Sequence, residues 1–346
     1  MFLKNAWYCA GWDHDLTMGQ DAIQERRIAG QSILLYRKTN GEAVAMEDRC
    51  CHRAAPLSLG RKEGDAIRCM YHGLKFGPDG RCIEVPGMVK VPPNACVRTY
   101  PVVEKSNWLW IWMGDPEKAD TSLICDAIGP GDPNWKIKAS QIRINTDYRL
   151  EIANLADLSH VTWVHSNTFG GNDAWSNIRP DHKVLERGLE TSYVMRRVPA
   201  PIFAKHLFPV DALFDLQVCV QMSVPCNFLL RFAVFEAAPE ESGQITGRLI
   251  LDTFSAQAVT PRDEGSVDYY FSWGASNETY FPGITDLMQE ANVKAFYEDK
   301  RILEAQTIRY RETKDRPLVD ISHDAGPGKM LWVLDRLLKQ EGEAPL

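Results

Sequence analysis

Two short segments of the sequence each pair a cysteine with a histidine. "CCHRAAPLSLG" (50–60) contains Cys50 and His52, and "CMYHGLKFGPDG" (69–80) contains Cys69 and His72. Two thiolates and two imidazoles form a ligand set that suits zinc or an iron–sulfur centre. The remaining alternative is a chance pattern of residues that are prone to burial.

The spacing within the two segments helps to choose between these metals. In a Rieske [2Fe–2S] centre, two cysteines hold one iron and two histidines hold the other. The C-x-H and C-x2-H steps let each segment give one ligand to each iron. A structural zinc site more often pairs two cysteines in one segment, as in C-x2-C. The pattern therefore favours a Rieske cluster, with zinc as the alternative.

A second group of polar residues lies in "EIANLADLSHVTWVH" (151–165). On a helix, Asn154, Asp157 and His160 share one face, because steps of three nearly repeat. His165 lies about 140° further around, so both histidines reach one metal only if the helix loosens near them. Two histidines and one carboxylate form the facial triad of mononuclear Fe(II) oxygenases, which leaves coordination positions open. The segment is thus a candidate iron site that lacks its carboxylate.

The elements around these residues divide the chain into two parts. The first 120 residues alternate short apolar runs with Gly and Pro turns, and "SILLYR" and "AVAMED" flank a predicted hairpin turn "KTNG". This pattern predicts a small all-β domain over residues 1–120. Residues 121–346 predict a mixed domain: a helix over 148–165, strands between 182 and 275, and helices from 283 onward.

Composition excludes several classes of protein. The chain has 346 residues, 45% of them hydrophobic, and a formal net charge of −7, which argues against a general nucleic-acid binder. No apolar run is long enough to cross a bilayer, and the start lacks a signal-peptide pattern, so we expect a cytoplasmic protein without a membrane span. Nine cysteines without a secretion signal predict ordinary thiols rather than a disulfide framework.

The cysteine and histidine segments resemble a known family. "HRAAPLS" and "YHGLKF" extend the match beyond the ligands and are similar to the fingerprint of Rieske non-haem iron oxygenases. Many relatives have Pro at the positions of Cys51 and Met70, and Cys50 rather than Cys51 has the correct spacing to His52. The resemblance implies an α+β fold: an N-terminal all-β Rieske domain and a C-terminal, helix-grip-like catalytic domain with an antiparallel sheet and helices.

The same resemblance implies iron ligands in the second part. "NLADLSHVTWVH" looks like the D-x2-H-x4-H motif of this family, which makes His160 and His165 ligands of a mononuclear Fe(II). The third ligand lies on a late helix in the family, in a setting similar to "AFYEDKRILEAQ". This nominates Asp299, with its neighbour Glu298 as the second choice.

The resemblance also implies roles for two polar residues near the iron. The family's counterpart of Asp157 bridges an iron-ligand histidine to a Rieske-ligand histidine of the neighbouring subunit in a ring-shaped homotrimer. Asn154 is expected near the iron as a supporting group. A carboxylate in such a place orients a ligand imidazole and raises its basicity.

"FLKNAWYCAGW" and the compact length are similar to the vanillate O-demethylase and dicamba monooxygenase group. This implies O2 as co-substrate and oxidative O-demethylation of a methoxylated aromatic acid. Methyl or ring hydroxylation and a Rieske electron carrier are the alternatives. No G-x-G-x-x-G follows a strand, so NADH oxidation should occur on a separate flavin/iron–sulfur reductase or ferredoxin. Candidate substrate-binding residues are Asn227, Arg231, Gln257 and Asn277.

Overall fold

The computed structural model describes residues 1–19, 22–170, 173–239 and 243–342. Its contacts divide the chain into two compact units. The N-terminal unit comprises residues 2–124 with 260–263, and the C-terminal unit comprises Met1, 125–259 and 264–346. Across the described ranges, no helix combines the length and apolar character needed to cross a bilayer. The division of the chain into domains of residues 1–120 and 121–346 stays a prediction.

The N-terminal unit is built from short antiparallel strands. They are β1 (Trp7–Trp12), β2 (Gln24–Ile28), β3 (Gln31–Arg37), β4 (Ala43–Glu47), β5 (Arg61–Glu63), β6 (Ala66–Arg68), β7 (Lys75–Phe76), β8 (Cys82–Glu84), β9 (Thr99–Tyr100), β10 (Val102–Lys105) and β11 (Trp108–Trp112). They form three sheets, in the orders β1-β11-β10, β2-β3-β4-β9 and β5-β6-β7-β8. The all-β character expected for this part is confirmed.

Two loops of this unit carry the cysteine and histidine segments. The first connects β4 to β5, and the second connects β6 to β7. The expected hairpin of β3 and β4 is present, with Arg37 opposite Ala43, and its turn uses Gly41 at a φ of 92°. Glycine reaches this left-handed region without the steric cost that a Cβ would add. The hairpin and the β5–β8 sheet therefore give both loops a hydrogen-bonded base.

The C-terminal unit combines one large sheet with helices. The strands are β12 (Trp135–Ile144), β13 (Asp181–Leu185), β14 (Gly188–Pro199), β15 (Leu213–Ser223), β16 (Asn227–Glu236), β17 (Leu249–Asp263) and β18 (Ser266–Ser276). The helices are α1 (Tyr148–Ala156), α2 (Ala174–Asn177), α3 (Ile284–Glu312) and α4 (Ala325–Gln340). The antiparallel sheet has the order β12-β18-β17-β16-β15-β14-β13. This agrees with the predicted α+β fold.

Helix α3 packs on the sheet through a stripe of buried side chains. Met288, Asn292, Ala295, Asp299 and Leu303 are all buried, at the three- and four-residue steps of one helix face. Two of these five are polar, which is costly in an apolar interface unless they have partners. The stripe therefore marks where α3 contributes polar groups to the interior.

Helix α1 ends earlier than the sequence pattern suggests. It stops at Ala156, and a 3-10 turn follows over Leu158–Thr162. Asp157 causes the break, because its carboxylate accepts a hydrogen bond from the backbone N–H of Ser159 at 2.8 Å and so caps the new turn. The chain is therefore no longer α-helical from Asp157 onward, and the expected loosening between the two histidines is present as the end of the 3-10 turn and the turns that follow it.

Candidate metal centres and substrate cavity

The two loops of the N-terminal unit share one hydrogen-bond pattern. The backbone N–H of Cys50 donates to Ala55 O, and that of Cys69 donates to Leu74 O, both at 2.8 Å. Each cysteine carbonyl also accepts from the residue four positions on, Ala54 or Gly73, and both of these have positive φ. The loops are therefore equivalent turns, each presenting a cysteine from the same position.

The structure brings the four proposed Rieske ligands together in two pairs. Cys50 and Cys69 are 2% and 1% exposed, whereas His52 and His72 are exposed, with ring centroids 4.6 Å apart. Burial raises the pKa of the Cys50 thiol to about 11, and the adjacent Cys69 adds to this. Two buried sulfurs beside two accessible imidazoles fit the ligand division of a Rieske cluster.

In the C-terminal unit, His160, His165 and Asp299 converge on one point. One ligand atom from each lies within 4.8 Å of the others. The Nε2 atoms of His160 and His165 lie 3.6 and 3.2 Å from the two carboxylate oxygens of Asp299. Two imidazoles and a carboxylate on one side of a point fit a facial triad for a mononuclear iron. Asp299, rather than Glu298, lies on the buried stripe of α3.

Hydrogen bonds behind both imidazoles fix which nitrogen faces this point. His160 contacts the backbone carbonyl of Asp157 through Nδ1. His165 contacts Oε2 of Glu298 through Nδ1 at 2.9 Å, and the same oxygen accepts from Thr168 Oγ1 at 2.9 Å. Partners of this kind orient a ligand imidazole and raise its basicity. Both Nε2 atoms are therefore available to a metal.

The protonation of the three groups also suits a cation. Burial raises the pKa of Asp299, but the hydrogen bond from His165 and the neighbouring imidazoles outweigh it and bring the net pKa below its ordinary value. Burial lowers the pKa of His160, which stays low although Asp299 opposes this. For His165, burial lowers the pKa, but the Asp299 and Glu298 carboxylates raise it overall. A metal would displace that proton on binding.

Two further polar side chains lie behind the triad. Asn154 donates from Nδ2 to Oδ1 of Asp299 at 3.3 Å, which places it beside the proposed iron as expected. Glu151 is fully buried, and burial, with the nearby charge of Asp299, raises its pKa well above the ordinary range. The sequence analysis did not single it out, because it occupies an ordinary helical position.

The triad opens onto an apolar cavity of about 110 Å³. Besides the three triad residues, it is lined by Asn154, Leu155, Leu158, Val161, Phe169, Trp175, Pro199, Pro201, Phe203, Leu216, Phe228, Leu230, Phe232, Ser255, Gln257, Trp273, Asn292 and Phe296. No Lys or Arg occurs among these described lining residues. Enclosed apolar walls with a few polar groups are typical of a site for a small organic molecule.

Only one of the four candidate substrate residues lines this cavity. Gln257 does, whereas Arg231 projects from the sheet, pairs with Asp252 and lies beside a separate depression. Asn227 is buried against Ser223, and Asn277 bonds to the carbonyl of Pro133. Sequence alone could not separate these positions, because alternate residues of one strand point to opposite faces of the sheet.

Two polar lining residues that the sequence analysis missed are Ser255 and Asn292. A signal existed for Asn292, since it precedes Asp299 by seven residues and therefore shares its helix face. Ser255 carried no comparable signal, because the sheet rather than the local sequence decides which strand residues face a cavity.

Comparison with known proteins agrees with both centres. Residues 6–101 match the Rieske [2Fe-2S] domain, and residues 144–340 match the vanillate O-demethylase oxygenase C-terminal domain. The chain is 36% identical to the iron–sulfur subunit of the toluene-4-sulfonate monooxygenase system of Comamonas testosteroni, with 100% of both proteins covered. It is 32% identical to a vanillate O-demethylase oxygenase subunit of a Pseudomonas species, covering 99% of this chain and 97% of that protein.

Among solved structures, dicamba monooxygenase bound to 3,6-dichlorosalicylic acid superposes with a TM-score of 0.87 at 27% identity, covering 99% of both chains. The match to the Rieske [2Fe-2S] domain favours the cluster over zinc at the cysteine and histidine segments, and the match of residues 144–340 to an oxygenase domain favours an oxygenase over an electron carrier. The cofactors are a Rieske [2Fe–2S] cluster and a mononuclear non-haem iron. The chain belongs to the Rieske non-haem iron oxygenases of the vanillate O-demethylase type, as the oxygenase component of a multi-component system.

Proposed function

We propose that this oxygenase oxidises a methyl substituent of an aromatic substrate, and that its reaction is oxidative O-demethylation. The observation that carries the proposal is the opening of the His160, His165 and Asp299 triad onto an aromatic-lined cavity. The balanced reaction converts ArOCH3, O2, two electrons and two protons to ArOCH2OH and water. The hemiacetal then collapses to a phenol, ArOH, and formaldehyde.

The protein's own residues position the substrate and exclude water from its reacting group. The iron, when bound, supplies O2 activation with electrons from the Rieske cluster. Phe169 and Trp273, with ring centroids 5.4 Å apart and planes at 87°, form an aromatic corner into which a benzene ring can pack. The apolar lining excludes water from the reacting methyl group, which limits side reactions of activated oxygen.

Electrons reach the oxygenase component from a separate reductase or ferredoxin, and we propose a flavin/iron–sulfur protein that oxidises NADH. The exposed imidazoles of His52 and His72 support an electron path that leaves the N-terminal unit at its surface. We further propose a homotrimer in which Asp157 connects the mononuclear site of one subunit to the Rieske site of the next. Its carbonyl contact with His160 supports this relay on the iron side.

A second candidate is hydroxylation of a methyl group on carbon, which yields a benzylic alcohol and no formaldehyde. The observation that favours it is the full-length identity of 36% to a subunit of a toluene-4-sulfonate monooxygenase system. Both reactions begin by replacing one methyl C–H with C–OH. They differ only in whether the carbon is attached to oxygen and so leaves as formaldehyde.

Formaldehyde release tests the proposal. The reconstituted oxygenase, a surrogate reductase, NADH and O2 would be mixed with a panel of methoxy- and methyl-substituted benzoates and benzenesulfonates. We expect formaldehyde in proportion to NADH consumed with a methoxy substrate. A benzylic alcohol from a methyl substrate, with no formaldehyde from any methoxy compound, would replace O-demethylation by the second candidate.

Metal content provides an independent control for the oxygenase assignment. We expect about three irons per chain, two in the cluster and one in the triad. His160→Ala should retain the two cluster irons and their visible absorption while losing the third iron and turnover. A variant with three irons and full turnover would remove His160 from the iron site.

A further inference from the structure

Thr168 forms hydrogen bonds to two separate parts of the C-terminal unit. Its side chain is buried, and its hydroxyl donates from Oγ1 to Oε2 of Glu298 at 2.9 Å. Its carbonyl oxygen accepts from the backbone N–H of Phe203 at 3.1 Å. Phe203 lines the cavity, whereas Thr168 is not among the lining residues. Thr168 therefore lies behind the wall and connects a carboxylate on α3 to a wall segment.

The carboxylate contact leads to the proposed iron ligand His165. The Glu298 oxygen that accepts from Thr168 also contacts Nδ1 of His165 at 2.9 Å. The hydroxyl hydrogen of Thr168 has two acceptors within reach, this carboxylate oxygen at 2.9 Å and the carbonyl oxygen of His165 at 3.4 Å. The shorter contact has the charged acceptor, which forms the stronger hydrogen bond. Thr168 thus holds the oxygen that orients the imidazole.

The main chain also connects Thr168 to His165. The carbonyl oxygen of His165 accepts from the backbone N–H of Thr168 at 3.0 Å and from that of Gly170 at 2.8 Å. A Cβ added to Gly170 would lie 2.9 Å from the same carbonyl oxygen, which is closer than a side chain can approach. Residues 165–170 therefore form one tight turn, in which Thr168 and the ligand keep a fixed relative position.

The contact with Phe203 attaches the cavity wall to this turn. Phe203 lies at the second position of a 3-10 helix, Ile202–Leu207, that follows the end of β14. The first N–H groups of a helix have no acceptor within it. The carbonyl of Thr168 supplies that acceptor, so the wall segment is fastened at the start of its helix.

Three aromatic rings form a second connection between the cavity and His165. Phe169, Phe203 and Trp273 line the cavity, and the ring centroid of Phe203 lies 6.1 Å from that of Phe169 and 5.5 Å from that of Trp273. The ring of Phe169 lies 5.5 Å from the ring of His165 at an angle of 71°. Closely packed interiors transmit small displacements because they contain few voids. A molecule in the cavity therefore contacts side chains that themselves contact the ligand or its turn.

We propose that Thr168 is a positioning residue that couples occupancy of the cavity to the hold on the iron ligand His165. A ring packed against Phe169 and Phe203 restrains the wall segment, and Thr168 passes this restraint to His165 through the Glu298 carboxylate. The inference rests on the proposed function only in taking an aromatic molecule as the occupant. Because coupling between two binding sites is reciprocal, an occupied cavity should tighten iron binding, and bound iron should tighten ligand binding.

Anaerobic competition for Fe(II) between the holoenzyme and a graded chelator measures this coupling without turnover. The probe is uncharged 4-methylanisole, and the visible absorption of the Rieske cluster is the internal standard. In the wild type, we expect saturating probe to lower the Kd for the mononuclear Fe(II) about fivefold or more. Thr168→Val keeps the branched shape without the hydroxyl and should reduce this factor to less than about two. Thr168→Ser, which keeps the hydroxyl, should respond as the wild type does.

Thr307→Val is the matched control. Thr307 lies on the same helix as Glu298, and its buried hydroxyl contacts Oγ1 of Thr146 at 2.7 Å, away from the cavity lining. This variant should keep the wild-type response. Phe203→Ala removes a ring from the wall and should also reduce the response, which tests the coupling independently of how well Thr168→Val folds.

Two results would overturn the coupling. One is a wild-type affinity for Fe(II) that does not respond to 4-methylanisole. The other is a full response in both Thr168→Val and Phe203→Ala. The expected pattern in a protein that oxidises no methyl or methoxy group would support the role of Thr168 and reject the proposed function.

Discussion

The carboxylate of Glu298 contacts Nδ1 of His165 at 2.9 Å, while the carboxylate of the next residue, Asp299, lies 3.2 Å from Nε2 of the same ring. Two consecutive residues of α3 thus lie next to the two nitrogens of one imidazole. Glu298 was the second choice for the third iron ligand, and its carboxylate lies at the imidazole nitrogen that faces away from Asp299. Its Oε2 atom contacts Nδ1 of His165 and also accepts a hydrogen bond from Oγ1 of Thr168.

Removing this support should weaken the iron site without emptying it. We expect Glu298→Ala to lower the affinity for the mononuclear iron about 10- to 100-fold, because such partners orient the ligand imidazole. Glu298→Gln should lose less, since its amide oxygen still accepts the Nδ1 hydrogen. The measurement is iron retained after dialysis against a graded chelator, with cluster absorption as the internal standard.

Glu290→Ala is the control for that experiment, because Glu290 lies on the same helix, exposed and paired with Lys294. It should retain iron as the wild type does. Equal iron retention by Glu298→Ala and Glu290→Ala would show that the contact with His165 does not matter to the metal.

Asp157→Asn should separate electron transfer from folding. The carboxylate caps the turn that carries His160 by accepting from Ser159, and an Asn side-chain oxygen can still accept this bond. We expect both metal centres to be retained and turnover to fall at least 100-fold if the side-chain charge serves the relay between subunits. Single-turnover oxidation of the reduced cluster measures the step directly.

Asp147→Asn is matched to this variant, since Asp147 caps α1 by accepting from the backbone N–H of Arg149. It should keep near-normal turnover. Rapid cluster oxidation in Asp157→Asn would reject the relay role.

The two loops that carry the cysteine and histidine segments differ at one equivalent position, which is Ala54 in the first loop and Gly73 in the second. Gly73 has a φ of 78°, and an added Cβ would lie 2.7 Å from Cγ of Pro86. Gly73→Ala should therefore displace the second loop and reduce cluster content, as seen in visible absorption. Ala54 already adopts a φ of 57°, so Ala54→Gly should preserve the cluster and leave the loop less strained. Undiminished absorption in Gly73→Ala would contradict the shared geometry.

Asp215 predicts a pH dependence of stability. Burial raises the pKa of this carboxyl, but hydrogen bonds from the backbone of Ala238 and Arg197 and from the Arg196 side chain bring it below its ordinary value. A depressed pKa contributes stability above the unfolded value of about 3.9, and this is lost as pH falls through the folded pKa.

Asp215→Asn should therefore melt below the wild type at pH 7, and the difference in Tm should shrink below about pH 4. Calorimetric scans at several pH values check this. A difference in Tm that stays constant from pH 7 to pH 3 would exclude a contribution from ionisation.

Residues that carry local signals were predictable. The C-x-H and C-x2-H steps identified Cys50, His52, Cys69 and His72 as a group because each pair lies within one turn. His160 and His165 were predicted as a pair for the same reason, since both lie in one short segment. Asp299 came from family resemblance, and α3 explains its choice over Glu298, since only one of two consecutive residues lies on the buried stripe.

Residues that depend on the packing of distant strands were not predictable. Arg231 is on a strand whose pairing sends its side chain to the outer side of the sheet, toward Asp252. Ser255 lines the cavity from β17, which lies between β16 and β18 in the sheet. The loosening between His160 and His165 was predicted, but the end of α1 at Ala156 was not, because the Asp157 cap competes with continuation of an otherwise helical pattern.

Asn292 and Asp299 lie seven residues apart on α3, so the helix fixes the distance along its axis between the Asn292 amide and the Asp299 carboxylate, both of which line the cavity. One residue inserted between them would rotate Asn292 by about 100° relative to Asp299 and remove it from the wall. A seven-residue insertion would restore its face and lengthen the span by about 10.5 Å. The shape of this cavity wall therefore depends on the rotation of α3 about its axis as well as on the size of the lining side chains.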